Sequence, residues 1–75
     1  TSSNVLEILD ESEHYAIEEQ PPLPQWVGKS IAELDIRRKH GLTIIAVMRG
    51  EKLNVPVSPD WVFAAGDVIV ALNKK

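Results

Sequence analysis

The sequence predicts an α+β fold: a four-stranded, mostly antiparallel sheet with one main helix packed on it, plus a short N-terminal helix. Three observations carry this. Ser30 and Glu33 form a full capping box that opens a helical stretch, and Gly41 closes it. The runs Thr43–Arg49 and Val68–Leu72 are apolar and rich in β-branched residues, as buried strands are. The stretches Tyr15–Glu19 and Lys52–Val57 alternate apolar and polar residues, the pattern of strands with one covered face. A helix laid on one face of such a sheet is a two-layer arrangement that buries both apolar surfaces.

The elements follow in order. Asn4 and Glu7 have capping-box spacing, with Asn a variant of the usual Ser or Thr, so a short helix is expected at roughly residues 4–12. It is too short to persist alone and must lean on other structure. Tyr15 and Ile17 share a face of the first strand. Pro21, Pro22 and Pro24 then forbid helix and remove ladder donors, which makes this segment extended or an edge. In the main helix Ile31 and Leu34 lie on one face, acid sits in the first turn, and Arg37, Arg38, Lys39 and His40 sit in the last, as the helix dipole favours. Gly50-Glu51 makes the turn of a hairpin whose second strand carries Leu53, Val55 and Val57 on one face. Pro56 marks an edge or a strand end, while Ser58-Pro59-Asp60 and Gly66-Asp67 are turns. Lys74 and Lys75 read as a solvated tail.

Size and composition set limits. A chain of 75 residues holds one domain of marginal independent stability. It contains no cysteine, so neither disulfides nor a Cys/His zinc site can staple it. Oligomerisation is the remaining route, and it would also cover the sheet's second face. A net charge of −3 argues against a nucleic-acid partner. No apolar run reaches the ~20 residues of a membrane span, so no direct membrane insertion is expected. The start lacks signal-peptide features, and the absence of cysteine fits the cytosol.

No catalytic constellation emerges. Two serines look like helix caps or their neighbours, and a nucleophile needs a base within hydrogen-bond reach. His14 trails an acidic stretch and His40 ends a helix whose dipole accommodates a cation. Gly28-Lys29-Ser30 lacks the first glycine of a phosphate loop, since Leu23 stands at that spacing. No alternating Asp/Asn loop with a glycine exists, which rules out an EF-hand. Trp26 and Trp61 are more simply packing residues than ligand stacks. The dense feature is Asp35-Ile36-Arg37-Arg38-Lys39-His40. It serves either as dipole complement at a helix end or as an anion site, since arginine binds phosphate oxygens in bidentate fashion. Doubled across a two-fold axis, it would suit a symmetric diphosphate ligand.

The run Trp26-Val27-Gly28-Lys29-Ser30-Ile31-Ala32-Glu33-Leu34-Asp35-Ile36-Arg37, then Gly41 to Val47, Pro56 and Gly66 to Leu72, resembles the RCK C-terminal domain, the TrkA-C family. The resemblance runs from about Tyr15 to Leu72. It implies that residues 1–13 are a connecting helix or linker from a Rossmann-like N-terminal lobe, and that residues 14–75 are a ligand-binding and dimerisation domain. It implies no enzymatic activity and no cofactor in this fragment. The expected partners are a second copy, in a homodimer, and the membrane subunit of a potassium channel or transporter, reached through the full-length protein on the cytoplasmic side. The KtrA-like branch implies cyclic di-AMP as ligand between two such domains. Carried over, Asp35 and Arg37 flank the ligand, with Arg37 on phosphate. Ile36 and Ile44 contact adenine and Pro56 lines the pocket. Thr43 stands where the branch often has a polar amide, so it can hydrogen-bond a base but reaches less far.

Overall fold

A computed structural model describes residues 13–74. The helix expected at residues 4–12 lies outside the described residues. Strands β1 (Tyr15–Gln20), β2 (Leu42–Arg49), β3 (Lys52–Asn54) and β4 (Val68–Lys74) form one open sheet in the order β1-β4-β2-β3. Every pairing in it is antiparallel. The last strand therefore lies inside the sheet, with Ile17 opposite Leu72 on one side and Val47 opposite Ile69 on the other. A 3-10 turn at Pro24–Trp26 follows the proline run.

The expected single helix is two short ones, α1 (Ile31–Leu34) and α2 (Ile36–His40). Asp35 separates them in the left-handed region, with φ 49° and ψ 48°. The apolar pattern gives the physical reason. At about 100° per residue, an unbroken helix would carry Ile36 about 140° round from Ile31, off the apolar stripe. The break turns Ile36 inward, and it ends only 1% exposed. The start and stop signals hold: the Glu33 amide donates to Ser30 Oγ, the Ser30 amide donates to Glu33 Oε1, and Gly41 adopts φ 68°.

A bulge between Ile44 and Ala46 shifts the β2–β4 register. It reconciles the inward-facing set, because Leu42 and Val47 are an odd number of residues apart and would otherwise face opposite sides. Trp26, Ile36, Leu42, Val47, Phe63, Ile69 and Ala71 form the core, with Ile31, Leu34, Ile44, Val57 and Trp61 packed against it. The third strand, expected at Lys52–Val57, stops at Asn54, and the Val55–Pro56 peptide bond is cis. Pro56 has no amide to continue a ladder. The chain from 55 to 67 instead runs back as a loop over α1 and delivers Phe63 to the core.

Candidate ligand site at the second helix

The loop, α2 and the start of β2 enclose a concavity of ≈ 210 Å³. Ile31, Ile36, Leu42 and Ile44 contribute apolar lining, Arg37 and Thr43 the polar groups, and Val57 and Pro59 the loop wall. Of the residues expected from sequence, Ile36, Arg37, Thr43 and Ile44 are thus brought to one place. Ile36 and Leu42 are buried and form the floor, while Arg37 and Thr43 are exposed at the rim. Asp35 adjoins the site without lining it. Its Oδ2 accepts a 2.5 Å bond from Arg38 Nε, which partly neutralises that guanidinium. Arg37 makes no ion pair among the described residues. Pro56 is not among the lining residues; Pro59, three residues on and read from sequence only as a turn proline, is.

The arrangement is chemically legible. An apolar floor accepts a flat ring, a hydroxyl at the edge offers one donor and two acceptors, and an exposed guanidinium at the rim offers a fork of N–H donors to an anion. Three or more metal-ligating side chains do not cluster anywhere among the described residues.

A second polar cluster lies behind the loop wall, and the sequence did not announce it. Asp67 is 1% exposed. Its carboxylate accepts from Arg49 Nε at 2.7 Å, Arg49 Nη2 at 2.7 Å, the Ala64 amide at 3.0 Å and Trp61 Nε1 at 3.3 Å. Arg49 Nη2 also donates to the Val62 carbonyl at 2.9 Å, and the guanidinium sits 4.3 Å from the centroid of the Trp61 ring. The Arg49 hydrogen bonds hold the Asp67 carboxyl below the usual carboxylate range; burial opposes this, and the Ala64 and Trp61 donors add to it. The available signal was a lone acid directly before a buried strand, since a buried carboxylate must have partners.

Comparison with known proteins places the fold. The chain is 31% identical over 72 residues to the Ktr system potassium uptake protein C of Bacillus subtilis, covering 96% of this chain and 33% of that protein. It therefore spans about a third of the length of that relative. It superimposes with a TM-score of 0.78 and 32% identity on the RCK C domain of the potassium transport protein KtrA in complex with cyclic di-AMP, covering 91% of this chain and 76% of that one. The RCK_C domain dimer of Streptococcus agalactiae BusR in complex with cyclic di-AMP gives 0.66 at 32% identity, covering 73% of this chain and 75% of that one. The TrkA-C domain matches residues 15–74, which is nearly all of the described structure. The chain belongs to the TrkA-C domain family.

Proposed function

We propose that this domain is a regulatory module that pairs with a second copy and binds cyclic di-AMP between the two, so as to control a potassium channel or transporter on the cytoplasmic side of the membrane. The single observation that carries the reading is Arg37, which makes no ion pair among the described residues, at the rim of an apolar concavity. A concavity of ≈ 210 Å³ is smaller than the ~300 Å³ at which sites for whole drug-sized ligands begin. It suits one base of a dinucleotide, and a second copy supplies the other half. A symmetric ligand with two phosphates then meets two Arg37 side chains across one two-fold axis. Two relatives in the same fold are complexes with cyclic di-AMP, one of them a domain dimer, which supports the choice of ligand.

In this reading Arg37 binds phosphate, Ile36 and Ile44 form the apolar seat of the base, Thr43 hydrogen-bonds its edge, and Val57 and Pro59 close the far side. Asp35 orients the rim by holding Arg38. The domain performs no chemistry of its own. It shifts gating only so far as the ligand binds one arrangement of the paired domains better than another.

Titration calorimetry with cyclic di-AMP tests this. Losing a charge-assisted bond to phosphate costs about 1.5–3 kcal/mol, and the substitution removes one in each copy, so Arg37→Ala weakens binding by roughly 100-fold or more. An Arg37→Ala variant that behaves as wild type in every ligand assay favours the alternative, a purely structural assembly domain.

A further inference from the structure

Residues 55–67 form neither a strand nor a helix apart from a single bridge between Ser30 and Val62, yet this loop supplies one wall of the ligand concavity through Val57 and Pro59. Something must hold it. Near its C-terminal half Phe63 is fixed by the core and by a backbone bridge, accepting from the Gly28 amide at 2.9 Å and donating to the Lys29 carbonyl at 3.1 Å. Two further sets of bonds hold the stretch that carries the wall. On the α1 side, the Ala32 amide donates to the Pro59 carbonyl at 2.9 Å and the Ile31 amide to the Trp61 carbonyl at 3.0 Å. On the sheet side, Arg49 grips the loop at three points: the Asp67 carboxylate, the Val62 carbonyl and the Trp61 ring. Trp61 belongs to both sets, with its carbonyl toward α1 and its indole N–H toward Asp67. None of Arg49, Trp61 and Asp67 lines the concavity.

We infer that Arg49 and Asp67 are positioning residues for the ligand site: their ion pair fixes the loop, sets the distance of the Pro59 wall from Ile36 and Ile44, and tunes ligand affinity without touching ligand. The affinity half of this rests on the ligand reading above; the wall-fixing half does not. The geometry distinguishes this from a general contribution to folding. Arg49 ends β2, beyond Val47, whose pairing with Ile69 is already sealed in the core. The pair's bonds go to the loop and not to the sheet. Removing the charge therefore frees the loop first.

Native-state hydrogen exchange without ligand and calorimetry with cyclic di-AMP, on wild type, Asp67→Asn, Pro59→Ala and the double variant, provide the test. In Asp67→Asn the amides of Ile31 and Ala32 lose ~10-fold or more of their protection, while those of Val47 and Ile69 lose less, as local opening predicts. Affinity falls ~10-fold, and Pro59→Ala costs less in the Asp67→Asn background than in wild type, because the wall it trims is already displaced. Unchanged protection at Ile31 and Ala32 would overturn the inference. So would an equal loss across loop and sheet, or strictly additive effects of the two substitutions. If wild type takes up no cyclic di-AMP, the ligand reading fails by itself and the exchange pattern alone decides whether the pair fixes the wall. Should Asp67→Asn fail to fold, Arg49→Lys, which keeps the charge and loses the fork, carries the same comparison in milder form.

Discussion

Asp67 shows how one side chain links acidity to stability. Its carboxyl is held below the usual range in the folded state. Stabilisation from the pair is therefore complete above the unfolded value near pH ~4 and is lost as pH falls from there through the lower folded value. Asp67→Asn should remove this part of the acid limb: wild type and variant converge in thermal stability as pH drops below about 4. At neutral pH the variant should lose about 1–3 kcal/mol, towards the lower end because the Arg49 side chain is 46% exposed and its charge is partly screened. In a domain of this size each 1 kcal/mol moves Tm by roughly 4–8 °C, so melting curves resolve the difference. A melting point that tracks pH identically in both proteins would remove Asp67 as the titrating group.

At the level of elements, the break at Asp35 is the feature that most shapes the site. A residue with a Cβ at φ 49° carries a backbone cost of about 1–2 kcal/mol, although Asp bears it better than most. Asp35→Gly should therefore be neutral or stabilise by up to about 1 kcal/mol, since the Arg38 pair it deletes is exposed and worth little. Asp35→Val should destabilise by more than about 1 kcal/mol, because a β-branched residue fits the left-handed region poorly. Urea unfolding of the two variants checks the order; if Asp35→Val matched Asp35→Gly, the helix would not be broken there. Signals carried by near neighbours in sequence were the legible ones. The Ser30–Glu33 box, the Gly41 stop, the hairpin turn and the apolar strands each follow from residues a few positions apart. The helix break was legible in principle, because Ile36 sits out of phase with Ile31 and Leu34, but the basic run after it masks the discontinuity. The insertion of β4 between β1 and β2 was not legible, since pairing such as Glu18 with Ala71 joins distant residues and leaves no local mark. The site divides along the same line. Ile36, Arg37, Thr43 and Ile44 lie close in sequence and line one concavity, while Pro59 comes to it from a long loop that no local pattern places there.

The whole molecule has two faces of different character. The inner face of the sheet is covered by the helices and loop. On the outer face Ile17, Met48, Leu53, Val55 and Val70 border a second concavity of ≈ 410 Å³, and Leu53 and Val55 are more than half exposed. A small domain with this much apolar surface gains by association. The association proposed at the Arg37 site carries a specific signature that general stickiness lacks. If cyclic di-AMP bridges two copies, it binds the pair and not the single chain, so by mass action it must raise the dimer fraction in proportion to its concentration above Kd. Sedimentation equilibrium across a ligand series should show the monomer–dimer midpoint falling as ligand rises, by about tenfold when ligand stands at 10-fold its Kd. Arg37→Ala should dimerise like wild type without ligand and lose the response to it. A ligand that binds while leaving the midpoint unmoved would place it within one copy and not between two, and the two-fold site would have to be abandoned.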